Sequence, residues 1–492
     1  MTAFFRRQGG RLLLACLLSF LSLAICTKSS FLYPLNDWVD VQCFFTVGRG
    51  ILHGLTPYRD LYEQKGPLIY FLYALATGIS EGSFVGVFAV EWACFSLFVY
   101  VSGRIAEVLA DLRGAYWLTA ALTALLTPFS PAFSHGGSAE ELFLPVLALG
   151  LWTVLQGMGK NAPLTDGQGV ILGLCAGAAL WTKYTFCGLF LGLAAAVILW
   201  YAFGGFIRRL PRLIGFFLLG AGALSGLILS WFALRGAVPD LWQAYFVNNL
   251  TQYTRNIRSG VYDPPLKNLL NNPTWSLPGG AGLLWLLCTV KKRRWQAAAA
   301  WLGAVCLFVF TYLNGRRYPY YALVMAVFAP LGLAALCHGA GRLMRGKQKI
   351  LRAAAVILTA AVTAAAPFLA YHFSGNVYLM KIEKEDTPQF RFARIIRQAE
   401  EPTLLNYGFL DGGFYFASGV MPTNPFFCTL NIDLKEMDAA LRRSVQAGET
   451  EFVVTRQQKL REDGTYRLVD ECSMIFEGRS WKYYLYQRNG GA

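Results

Sequence analysis

Apolar runs, each about long enough to cross a bilayer core, alternate along the chain with short clusters of charge. Runs at 12–26, 84–101, 116–129, 142–155, 170–181, 186–203, 213–234, 277–290, 295–313, 322–337 and 353–371 predict about eleven membrane-spanning helices. The first run follows Arg6, Arg7 and Arg11 as a signal peptide would. It lacks a small-x-small cleavage site and reads as an uncleaved first span.

Lys and Arg test that count, because they should collect on alternate loops. The N-terminus, Arg104 with Arg113, Lys160, Arg208 with Arg209 and Arg212, the run Lys291 to Arg294, and the stretch Arg342 to Arg352 all fall on one side. That side is the expected cytoplasm. The parity requires that the apolar stretch at 67–79, only about 13 residues, lies at the interface or re-enters. An outward loop at 28–82 follows, and everything after about residue 372 faces outward. The chain thus divides into a helical membrane domain, 1–371, and a soluble extracytoplasmic α/β domain, 372–492. In the latter, helix-like and strand-like patterns alternate at 390–399, 403–407, 451–455 and 481–487. The expected location is the plasma membrane, multi-pass, with a cytoplasmic N-terminus.

Composition agrees with a lipid solvent: 55% of the 492 residues are hydrophobic and 15% charged, where soluble domains carry about a quarter charged. The net charge of +15 sits in topology-setting clusters and forms no continuous basic stripe, which argues against a nucleic-acid partner. Eleven cysteines are scattered, mostly in apolar runs, without metal-like spacing. Cys428 and Cys472 could pair in an oxidising compartment, free thiols being the expected state.

Candidate chemistry lies in the outward segments. The first loop reads Asn36-Asp37-Trp38-Val39-Asp40-Val41-Gln42, then Gly48-Arg49-Gly50, then Tyr58-Arg59-Asp60-Leu61-Tyr62-Glu63-Gln64-Lys65-Gly66-Pro67. Its charges alternate with aromatics beside a membrane, a composition suited to holding something charged at the interface. Glu140 and Glu141 open a span directly after Ser134-His135-Gly136-Gly137-Ser138-Ala139. One carboxylate there simply favours the helix dipole, whereas a pair at a membrane edge suggests function. Lys65, Lys183, Arg255 or Arg258, and Arg316 with Arg317 stand at outward span ends, against the positive-inside bias. A lipid-linked phosphate would compensate them.

In these residues the chain resembles the multi-span glycosyltransferases that use polyprenyl-phosphate sugars, the GT-C class. Within that class it is similar to the protein mannosyltransferase and aminoarabinose transferase superfamily, glycosyltransferase family 39-like. The likeness lies in Asp40 followed nine residues on by Arg49, the element Tyr62 to Pro67, Glu140 opening its span, and Thr182-Lys183, over residues 12–335. It implies a GT-C-like fold and transfer of a sugar at the outer face. The donor would be a polyprenyl-phosphate sugar and the acceptor an envelope glycan, lipid or protein. Asp40 would be the base. Glu140 would orient acceptor or sugar hydroxyls, and Lys65, with Lys183 or an arginine between Arg255 and Arg317, would neutralise the leaving phosphate. Asp37, Arg49, Glu141, Arg316 and Arg317 complete the expected substrate contacts. Asp40-Val41 replaces the family's Asp-Glu pair, so Asp37 competes for the base role, and Arg317-Tyr318-Pro319-Tyr320-Tyr321 departs from the family's Tyr-Leu-x-Pro. No cofactor is implied, and a divalent cation is left open.

The alternative is a transporter or flippase for an anionic lipid or polymer. It would need ionisable groups near the bilayer midplane, where the sequence offers isolated cases such as Glu91. A catalytically silent assembly subunit is a third reading, and the presence of Asp40 argues against it.

Overall fold

The computed structural model describes residues 2–112, 114–253, 263–344, 346–461, 463–476 and 479–490. Arg113, Arg255, Arg258 and Arg345 lie outside the described residues. The chain is mostly helical with a four-stranded sheet near its C-terminal end. Each apolar run forms a helix. Among the described residues, eight helices are long and apolar enough to cross a membrane, namely Gln8–Cys26, Val85–Ala110, Ala139–Lys160, Tyr184–Phe203, Ile207–Ala233, Val290–Tyr312, Pro319–Leu343 and Lys349–Phe373. The other three runs become the shorter helices Ala115–Leu126, Asp166–Thr182 and Pro273–Cys288. The stretch after Gly66 is a helix of 13 residues, Pro67–Ile79, started by a proline in its first turn.

The placement of apolar surface explains the solvent. Within Pro319–Leu343 78% of the most apolar window is buried, but in Ile207–Ala233 and Lys349–Phe373, equally apolar, only 17% is. Leu218, Leu227, Ile357 and Phe368 stand exposed on those two helices. Such continuous apolar faces are unsustainable in water and natural in lipid. The chain is a multi-pass membrane protein.

Two compact units form, each discontinuous in sequence. The first comprises Met1–Thr27, Ala89–Ile228 and Arg258–Val377; the second comprises Lys28–Phe88, Leu229–Ile257 and Tyr378–Ala492. In the first, helices pack through small residues, because lipid supplies no hydrophobic drive between them and close backbone approach must supply dispersion instead. A Cβ on Gly188 would stand 2.6 Å from the Cys306 carbonyl oxygen, and one on Gly192 2.2 Å from that of Leu302. These glycines, four apart, form one small-residue stripe against the helix Val290–Tyr312.

The second unit contains the sheet: β1 Leu404–Tyr407, β2 Phe452–Arg456, β3 Tyr466–Phe476 and β4 Arg479–Arg488, in the order β1-β2-β4-β3. β1 and β2 are parallel and the other pairs antiparallel. The parallel pair needs a crossover, which carries the amphipathic helix Lys435–Gln446. The helix Pro388–Ile396 closes the aromatic core, stacking Phe392 on Phe414 at 5.6 Å between ring centroids. All cysteines are free. The neighbour of Cys428 is Cys43, at 3.9 Å between sulfurs; Cys472 sits on β3 and its thiol faces the Ser473 carbonyl.

The small-residue stripe gives a first test. Gly192→Val should separate the two helices and lower the thermal unfolding temperature of detergent-purified protein by several degrees, measured by tryptophan fluorescence. The same change at Gly222, which has open space around it, should leave it within about a degree.

Candidate functional site

Each compact unit assembles its own set of charged groups. In the second, the helix Val39–Leu52 begins after the extended Trp38 and carries Asp40 in its first turn, where a carboxylate complements the helix dipole. Lys65 approaches Asp40 at 4.0 Å between Nζ and Oδ2, with side chains 11% and 15% exposed, and lies over the Phe44 ring one turn along the same helix. The two motif pieces of the first loop thus meet.

The loop is shaped to hold Lys65. Its backbone N–H donates to Glu63 Oε2 at 2.8 Å, and its carbonyl accepts from the Tyr58 hydroxyl at 2.7 Å. Tyr70 also donates to the buried Glu63 carboxylate. From the segment Leu229–Ile257, Asn248 donates to the Tyr62 hydroxyl and Asn249 to the Gln64 carbonyl. Glu63, Asn248 and Asn249 were not singled out in the sequence. Their signal is weak, being three polar residues at positions that only the folded loop brings together.

Asp37 is placed differently from Asp40. It is buried and forms a 2.7 Å ion pair with Lys28, whose own side chain is 1% exposed and also reaches Tyr378. Burial works against the Lys28 charge, but Asp37 and Tyr378 outweigh it and raise the ammonium above its ordinary value. The pair engages Asp37 Oδ1, while its buried Oδ2 has no hydrogen-bond partner.

Arg49, three turns beyond the start of the helix, turns to the C-terminal segment. It donates to the carbonyls of Tyr415 and Gly419, and Glu81 lies 3.5 Å away. Beside it, Asp411 is fully buried and accepts from Thr46 Oγ1 at 2.6 Å, the Gly413 N–H at 2.9 Å and Asn406 Nδ2 at 3.1 Å. Burial raises its carboxyl to about 6, with those donors opposing.

In the first unit, Ser138 caps the short helix Ala139–Leu142 by accepting from the Glu141 N–H. This cap turns Glu140 inward. Lys183 ends the helix Asp166–Thr182 in an extended conformation, φ −155° and ψ 105°. The break directs its ammonium to Glu140 at 2.5 Å and over the Tyr321 ring at 3.4 Å. Tyr318 packs on Tyr321, and Arg316 donates to the Tyr318 hydroxyl at 3.3 Å. The Arg317 side chain is exposed, and its carbonyl accepts from Asn268. Glu141, also buried, accepts from the Gly137 N–H, and Thr27 donates to Glu91. The structure therefore joins Glu140, Lys183 and Arg316 through one tyrosine cluster, and turns Glu141 into the loop before its own helix. Among the described residues, no group of three or more His, Cys, Asp or Glu is arranged to hold a metal.

No family model matches the chain, and no curated protein does. Solved structures do. ArnT from Cupriavidus metallidurans in the apo state aligns with a TM-score of 0.63 at 15% identity, over 96% of this chain and 97% of that one. The same protein bound to undecaprenyl phosphate gives 0.61 at 16% identity, over 95% and 97%. An Archaeoglobus fulgidus oligosaccharyltransferase gives 0.48 at 14%, over 90% and 67%. The fold is that of ArnT across almost the whole chain: a GT-C-like helical membrane protein with a small mixed domain, as the motifs and apolar runs led one to expect.

Asp411 makes the Arg49 region sensitive to pH. Its folded-state value, about 6 against an ordinary 3.8, means that the folded form holds the proton more tightly. Its stabilising contribution is therefore complete below about pH 4 and is lost as pH rises through about 6, an effect on the order of 3 kcal/mol. Thermal unfolding of wild type and Asp411→Asn between pH 4.5 and 8 should show wild type losing ground to the variant as pH rises. A constant difference would contradict the assignment.

Proposed function

We propose that this protein is a glycosyltransferase that moves a sugar from a polyprenyl-phosphate-linked donor to an acceptor at the outer face of the membrane. The observation that carries the reading is the Asp40–Lys65 pair, a partly exposed carboxylate beside a cation at 4.0 Å. Support also comes from a fold shared over nearly the whole length with a protein crystallised with undecaprenyl phosphate.

In the proposed reaction the Asp40 carboxylate takes the proton of an acceptor hydroxyl as its oxygen forms a bond to the anomeric carbon. The bond from that carbon to the phosphate oxygen breaks, and the lipid phosphate leaves with the electron pair. Lys65 neutralises the charge growing on the phosphate. A single direct displacement inverts the anomeric configuration. Asp40 is preferred over Asp37 as the base because Asp37 is buried against Lys28, which leaves it no room to meet an acceptor. Glu140, held by Lys183, orients sugar or acceptor hydroxyls, and Arg316 adds positive charge beside the tyrosine cluster. Arg49 serves as a strut for the helix that bears Asp40, and Glu141 holds its loop. The orientation that fits this chemistry has the N-terminus in the cytoplasm and both Asp40 and the C-terminal domain outside, in the plasma membrane.

Transfer by protein in nanodiscs, assayed against a panel of polyprenyl-phosphate sugars and envelope acceptors, tests the proposal. Wild type should turn over with at least one donor. Asp40→Asn should lose about a hundredfold or more, with Asp37→Asn acting chiefly on stability. Turnover by Asp40→Asn within twofold of wild type would remove Asp40 as the base. Absence of transfer from every donor, together with flipping of the same lipid in liposomes, would replace the enzyme by a transporter.

A further inference from the structure

Within the first compact unit, a cavity of about 730 Å³ opens where four helices end or turn. Its walls carry Lys160, the run Lys291 to Arg294, and Arg342, against the two carboxylates Glu107 and Asp111. Both acids are already engaged: Glu107 with Arg11 and Arg104, and Asp111 with Arg293 at 3.0 Å. Among the described residues, Lys160, Lys291, Lys292, Arg294 and Arg342 have no carboxylate partner. The C-terminal ends of helices contribute roughly half a negative charge each, which offsets only part of that excess.

The backbone is bent to form this cavity. Arg293 is non-helical at φ −131° and ψ 30° inside Val290–Tyr312. The kink carries the basic run across the cavity, with the Arg293 guanidinium over Trp285 and Trp285 packed on His338. Positive charge at helix ends suffices for membrane topology, but topology alone does not require a cavity.

A second feature adjoins the first. An apolar groove of about 270 Å³ is lined by Leu112, Leu118, Leu336, Ala340 and Leu358, among others. The helix Ala329–Leu343 contributes to both: His338 and Arg342 line the basic cavity, and Leu336 and Ala340 line the groove. At 100° per residue, Gly339 falls on the helix surface between Arg342 and Leu336. A side chain there would meet open space. A ligand with an anionic head and an apolar tail could therefore lie across Gly339 and fill both.

We propose that this end of the helical unit binds one anionic phospholipid, its phosphate headgroup in the basic cavity and an acyl chain in the groove. The chemistry follows from a cluster of exposed cations lining a cavity, with an apolar groove beside it on the same helix, the arrangement by which basic pockets between membrane helices hold anionic headgroups. The site involves neither Asp40 nor Glu140 and does not depend on the proposed transfer.

Native mass spectrometry of detergent-purified protein tests it, with phosphatidylglycerol, phosphatidylcholine and inorganic phosphate as probes. Wild type should retain one equivalent of phosphatidylglycerol and at least tenfold less phosphatidylcholine. The triple variant Lys291→Ala, Lys292→Ala, Arg294→Ala should weaken phosphatidylglycerol binding at least tenfold. Gly339→Leu, placed in open space so that folding is spared, should weaken the lipid without weakening inorganic phosphate. Equal retention of the two lipids, or unchanged lipid binding in both variants, would overturn the proposal. So would binding of inorganic phosphate without phosphatidylglycerol, which would make the cavity a site for a free anion.

Discussion

A charge removed from water must be met by an opposite charge or by aligned dipoles, and this constraint organises both compact units. Lys28 with Asp37, and Lys183 with Glu140, are buried ion pairs in the two units. Removing one partner from such a pair typically costs several kcal/mol, because the other charge stays behind unmatched. Asp40 and Lys65 are the informative exception. Their side chains, 4.0 Å apart and 15% and 11% exposed, keep some contact with solvent.

The same constraint decides what the sequence could reveal. The apolar runs were legible because the bilayer imposes a length on them, and each run became a helix. The strands at 404–407, 452–456 and 479–488 were visible in outline as short runs rich in β-branched, aromatic and leucine residues, each of which folding buries over several consecutive positions. β3 and the helix Lys435–Gln446 were not singled out. β3 pairs only with β4 and exposes Leu468 and Ile475, which blurs its alternation.

In the candidate site, Asp40, Lys65, Glu140 and Lys183 were legible because short motifs mark them. Their partners were not. No local pattern pairs Asp37 with Lys28, nine residues earlier, as the folded chain does. The Arg49 guanidinium reaches carbonyls some 370 residues away along the chain, contacts that no motif announces. Asp411 carried no motif; it matters because folding buries it beside Thr46. Cys428 found Cys43, and no spacing rule would have joined them. Local pattern reports solvent and element, whereas pairing between distant buried charges is a property of the tertiary structure alone.

The central proposal is that Lys65 neutralises a lipid phosphate, with Lys183 as the other candidate. Binding of undecaprenyl phosphate to the purified protein, titrated by native mass spectrometry in wild type, Asp40→Asn, Lys65→Ala and Lys183→Ala, tests it most directly. Asp40→Asn should bind as wild type does or more tightly, because it removes a negative charge beside the phosphate. Lys65→Ala should weaken binding about tenfold or more, the order of one lost charge-assisted contact. Undiminished binding in Lys65→Ala and in Lys183→Ala alike would contradict the claim.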